Sequence, residues 1–222
     1  MRTILHLDAS VRGERSLSRK LSRHFVEGWR RRRPEYSVTY RDLGREPPSF
    51  VSEAWIAAVF TPEEERNPAQ QDVVRLSDML IDELAAADVI ALGTPMYNYG
   101  MPAALKAWFD QVIRINKTFT FDLARGDFPL EPIMADKTLV MLTSHGEFGF
   151  EPGGIREARD NLMPHVRTCA HYLGVKDIHQ ISIEYQEFGG NRHEASIAAA
   201  YKAIGPLVEK LTSFDQVEAA AG

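Results

Sequence analysis

The sequence predicts a doubly wound α/β fold, a five-stranded parallel sheet in the order 2-1-3-4-5 with helices on both faces. Two observations carry this expectation. Short apolar runs alternate along the chain with segments whose apolar residues recur at helical spacing, which is the signature of βαβ units joined by right-handed crossovers. The loops richest in serine, aromatic residues and glycine follow the first, third and fourth of those runs, and in an open parallel sheet ligands bind at the carboxyl ends of the strands.

Each element follows in order. Ile4-Leu5-His6-Leu7 reads as a buried strand, and from Ser16 a helix presents Leu17, Leu21, Phe25 and Trp29 on one face. Residues 38–43 alternate like an edge strand, which Pro47 and Pro48 stop before a less regular excursion that lasts to Pro68. Val73, Leu76, Leu80 and Leu84 mark the next helix, residues 88–93 a third strand, and Pro102 the first residue of a helix lined by Leu105, Trp108, Phe109, Val112 and Ile113. Residues 138–143 form the fourth strand, about 156–172 another helix ending near Gly174, and 178–183 the fifth strand. Ile197, Tyr201, Ile204, Val208 and Leu211 line a final helix with Pro206 as a kink point. No repeat or internal boundary interrupts the chain, so one domain spans residues 1–222.

Composition narrows the function. With 26 basic and 31 acidic residues the net charge is −5, which favours neither nucleic acid nor an anionic membrane. No apolar run approaches the ~18 residues of a membrane span. Asp8 and Arg12 interrupt the first apolar stretch too early for a signal core, and a single cysteine, Cys169, suits a reducing compartment, so a cytoplasmic location is expected. The arginines at 30–33 before Pro34 read as a solvated helix end that complements the helix dipole.

Three loops carry the chemistry. Ser10, Ser16 and Ser18, with Leu17 between the last two and arginines at 12 and 15, sit between a strand and a helix start, where free backbone N–H groups and hydroxyls suit a phosphate; Ser16 as a simple N-cap is the alternative. Met96, Tyr97, Asn98 and Tyr99 end the central strand with groups that suit a flat heterocycle, or equally a packed turn. Ser144, His145, Gly146 and Glu147 open a glycine-rich loop that permits close backbone approach. No further ligand-type residues recur there at a metal-site spacing, so no metal is expected. His145 is a candidate proton donor by type and place, with bound water as the alternative.

The spacing of these loops and the string Pro95-Met96-Tyr97-Asn98-Tyr99 resemble the FMN-dependent NADH azoreductase and NADH:quinone oxidoreductase family over nearly the whole chain. The resemblance implies a flavodoxin-like fold, with non-covalent FMN held at its phosphate by Ser10, Ser16 and Ser18. It lays Met96 to Tyr99 along the isoalloxazine and puts Gly146 against the ring. The family's third loop usually reads Ser-Arg-Gly-Gly, so His145 and Glu147 are departures, and the loop beyond them is longer. The resemblance also implies a homodimer, in which Phe121 and Tyr172 lie near the flavin of a two-subunit site. NADH as donor and quinones or azo compounds as acceptors would then share one groove in a ping-pong cycle. A flavodoxin-type electron carrier would need the same three loops, but not the long segments 47–68 and 119–132, and a nucleotide-sensing regulatory subunit remains open because fold does not fix function.

Overall fold

The structure is a computed structural model that describes residues 2–221, with side chains for residues 2–213. Strand β1 (Thr3–Asp8) leads into α1 (Leu17–Arg32), followed by β2 (Ser37–Asp42), α2 (Glu53–Phe60), α3 (Pro68–Ala86), β3 (Val89–Pro95) and α4 (Ala103–Val112). Two short strands, β4 (Phe119–Phe121) and β5 (Leu130–Pro132), precede β6 (Lys137–Ser144), α5 (Met163–His171), β7 (Val175–Ile183) and α6 (Gly190–Ala221). The main sheet has the order β2-β1-β3-β6-β7 and every pairing in it is parallel, which is the expected 2-1-3-4-5 winding.

Alternation along the strands builds two cores. Ile4, Val89, Ala91, Val140 and Leu142 face α1 and α6, where they meet Phe25, Trp29, Ile204 and Val208. Leu5, Ile90, Leu92, Leu139 and Met141 face the opposite layer of α3, α4 and α5, against Leu84, Trp108 and Val166. Each large side chain buried in this way stabilises the fold by about 1.5–3 kcal/mol. Cys169 lies buried on α5, and burial pushes its thiol up. The arginine run forms the last turn and cap of α1, and Arg33 donates to the Thr212 carbonyl of α6 at 2.6 Å.

Three local expectations are corrected. The excursion of residues 47–68 holds a helix, α2, started by Ser52 as N-cap and seated through Trp55, Ala58 and Val59 on Val74 of α3. The helix expected from 156 begins only at Met163, because the Asp160 carboxylate accepts the Leu162 and Met163 N–H groups at 2.8 and 3.0 Å and Pro164 sits in the first turn. Pro102 is the N-cap of α4 rather than its first residue. Phe119 to Phe121 form an antiparallel arm with β5 whose Phe119 packs edge-on to Tyr172 at 5.7 Å, leaving Phe121 exposed.

Candidate active site

The first loop is a helix start prepared for an anion. Ser16 caps α1 by accepting the Arg19 N–H at 3.3 Å, and its hydroxyl meets that of Ser18 at 3.1 Å. The N–H groups of Leu17 and Ser18, in the first turn, have no intrahelical acceptor, and the helix dipole favours negative charge beside them. Ser10 accepts the Arg12 N–H at 3.3 Å and is buried.

Behind this loop lies a buried polar cluster. Asp8 accepts hydrogen bonds from Ser22 at 2.8 Å and Tyr40 at 3.1 Å, and any side chain at position 93 would collide with it, so only glycine fits there. Burial acts to raise the Asp42 carboxyl, but the Arg19 hydrogen bond, the Arg45 N–H and both arginine charges outweigh it and hold the group below the ordinary carboxylate range. Desolvation, aided by the charges of Asp8 and Asp42, pushes the Tyr40 phenol up to about 12.

The second loop is a tight reversal. Tyr97 and Gly100 exchange N–H···O bonds of 3.0 Å each, and Asn98 and Tyr99 between them take φ values of 47° and 66°. Those angles are the type I′ pattern, which asparagine tolerates and a tyrosine holds only under strain. The Asn161 N–H secures the Tyr99 carbonyl at 2.9 Å.

The third loop is braced by the segment after β7. The N–H groups of Tyr185, Gln186 and Glu187 donate to the carbonyls of Glu147, His145 and Gly146 at 3.1, 3.3 and 3.0 Å. Phe148 stacks on Tyr185 with ring centres 4.3 Å apart, while the guanidinium groups of Arg156 and Arg192 lie 4.5 and 5.3 Å from the Phe148 ring. Glu147 pairs with Arg156 at 3.2 Å. The His145 ring is buried edge-on to Phe150, with Glu184 at 3.7 Å and neither ring nitrogen hydrogen-bonded.

These loops enclose a cleft of about 350 Å³ at the carboxyl ends of the strands. Ser10, Ser16 and Leu17 line one end, Met96 and Tyr97 one wall, and Ser144 and Gly146 the other end. Of the remaining residues expected at the site, Ser18 supports Ser16 from behind, Asn98 and Tyr99 are turned outward by the type I′ reversal, and His145 and Glu147 face away into the loop's own packing. Phe121 and Tyr172 do not line the cleft of their own chain. Arg12 and Pro95, from the first and second loops, also line it, together with Gln186 and Glu187, which were not expected. The rule that ligands bind at strand carboxyl ends, extended to the fifth strand, points to the last two.

A sequence-family profile described as "Flavodoxin-like fold" matches residues 2–207. The chain is 54% identical over 218 residues to "FMN-dependent NADH:quinone oxidoreductase 2" of Colwellia psychrerythraea, covering 95% of this chain and 100% of that one. A protein of the same name from Idiomarina loihiensis is 54% identical over 219 residues, with 96% and 91% covered. The chain belongs to the flavodoxin-like family of FMN-dependent NADH:quinone oxidoreductases. Its fold superimposes on the crystal structure of an azoreductase from Bacillus anthracis with a TM-score of 0.83 at 22% identity, covering 95% of this chain and 100% of that one. Among the described residues no helix is long and apolar enough to cross a membrane, and no group of three His, Cys, Asp or Glu side chains could hold a metal ion.

Proposed function

We propose that this protein binds FMN non-covalently in the cleft and passes electrons from NADH to quinones and azo compounds. The observation that carries the reading is that a phosphate-type helix start and the Met96–Tyr97 wall open into one continuous cleft. The cleft fits the cofactor on two counts. The free Leu17 and Ser18 N–H groups and the Ser10 and Ser16 hydroxyls suit one phosphate monoester. The buried Tyr97 hydroxyl has no partner in the protein. Serine loop and Gly146 stand on β1 and β6, two strand spacings or about 10 Å apart, the reach of a mononucleotide.

Bound FMN supplies the redox chemistry, taking two electrons from NADH and releasing them to the acceptor. The protein's own contribution is to hold the phosphate at α1, close one side of the ring with Met96 and Tyr97, and leave one side open. Donor and acceptor therefore take turns, and NAD leaves before the acceptor enters. Two copies of the chain complete the site, with Phe121 and Tyr172 contributing an aromatic surface for the acceptor. The buried Cys169 thiol suits a cytoplasmic setting.

The test uses the purified holoprotein. Acid release should yield FMN and no FAD. Anaerobic NADH alone should bleach the flavin, menadione should restore it, and double-reciprocal plots should be parallel. Intersecting lines would refute the shared groove, and a flavin that NADH cannot bleach would turn the reading towards an electron carrier.

A further inference from the structure

The geometry points to Glu187 as a charge filter that makes neutral acceptors preferred over anionic ones; this rests on the reductase reading above. Glu187 follows β7, and its backbone is pinned beside the third loop by the N–H bond to the Gly146 carbonyl at 3.0 Å. Its carboxylate lies over Gly146: a methyl group added there would stand 2.6 Å from Glu187 Oε1. The missing side chain at 146 thus makes the space that the carboxylate occupies, at the end of the cleft opposite the serine loop.

Among the described residues this carboxylate has no ion-pair partner. The neighbouring cations are engaged elsewhere, Arg156 with Glu147 and Arg192 over the rings of Phe148 and Tyr185. The other cleft-lining charge, Arg12, belongs to the β1 loop at the serine end of the cleft. The cleft is therefore polarised, cationic where a phosphate is held and anionic beside Gly146. A sulfonate or carboxylate brought near Glu187 meets charge repulsion, whereas a neutral quinone does not.

The experiment compares naphthoquinone with naphthoquinone sulfonate on the holoenzyme, in the wild type, Glu187→Gln and Glu187→Lys. The quantity read is the sulfonate-to-neutral ratio of kcat/KM with NADH. The same ratio of binding constants to the oxidised protein, from quenching of flavin fluorescence, gives a readout without turnover. Both ratios should rise about three- to tenfold in Glu187→Gln and further in Glu187→Lys, and added salt should compress the differences. Ratios equal to wild type in both variants would overturn the assignment while leaving the reductase reading intact. A wild-type holoenzyme that passes electrons from NADH to neither probe would overturn both.

Discussion

The guanidinium of Arg19 holds the backbone carbonyl of Ser10 twice, through Nε at 2.8 Å and Nη2 at 2.5 Å, while its other edge faces Asp42. A residue of α1 thereby fixes the loop that precedes α1, and β2 fixes the arginine. Arg19→Met removes both carbonyl contacts and leaves Asp42 without its main partner, for a loss of about 1–3 kcal/mol in stability. FMN affinity should fall more than riboflavin affinity, because the damage falls on the phosphate end. Flavin fluorescence titrations of the apoprotein with both ligands check this, and equal losses would assign Arg19 to general stability alone.

The double variant Ser16→Ala, Ser18→Ala should weaken FMN binding by about 1–3 kcal/mol for each charged-acceptor bond lost. Loss of the Ser16 cap adds about 1 kcal/mol of destabilisation. Calorimetric titration with FMN, beside a thermal melt of the apoprotein, separates the two effects. Unchanged affinity with a lowered melting temperature would reduce Ser16 to a cap.

Tyr40 gives a pH dependence whose sign can be worked out. Its folded pKa is raised, by desolvation first and by the charges of Asp8 and Asp42 next, to about 12. Its contribution to stability is therefore fully present below about pH 10, the unfolded value, and is lost as pH rises through the folded one. Tyr40→Phe should flatten the alkaline limb of a denaturant-midpoint profile between pH 10 and 12. A profile that overlays the wild type there would refute the assignment.

Gln111 ties α2 to the body of the protein. It accepts from the Trp55 indole at 2.9 Å and donates to the Ser49 carbonyl at 2.8 Å. Gln111→Leu leaves a buried indole N–H and a carbonyl unpaired, so about 1–3 kcal/mol of stability should be lost in chemical denaturation. Native-state hydrogen exchange should speed up in α2 before it does so in the sheet.

The arm formed by β4 and β5 exposes Phe121, Leu123 and Phe128 at 49, 74 and 85% of their surface. Such a cluster fits a partner surface, and a homodimer is the expected state. Phe128→Glu should shift the mass seen by light scattering towards the monomer and depress turnover together with it. A wild type that is monomeric and fully active at micromolar concentration would refute the two-subunit site.

The sheet was legible because its inner strands are buried on both faces, so runs such as Val89-Ile90-Ala91-Leu92 announce themselves without context. Helix α2 was not, since Glu-Ala-Trp-Ile-Ala-Ala-Val-Phe is apolar nearly all round and shows no helical stripe, and its fold depends on a distant glutamine. The serine loop was readable because capping is local chemistry. Glu187 was not, because it reaches Gly146 only once β7 lies beside β6. His145 took its expected place in sequence, yet alternation along the loop turned its ring away from the cleft that Ser144 and Gly146 line.

The strand order has a consequence for the lifetime of the protein. Ser10 and Gly146 become neighbours only when β1, β3 and β6 are all paired, so no partly assembled sheet offers both ends of the cleft. A ligand that spans them binds the native state alone, and at a hundredfold excess over its dissociation constant it adds about 2.7 kcal/mol to the free energy of unfolding. Flavin supply then governs how often the chain opens, and with it exposure to proteases. In a flavin-starved cell the enzyme would be cleared by turnover of the protein itself.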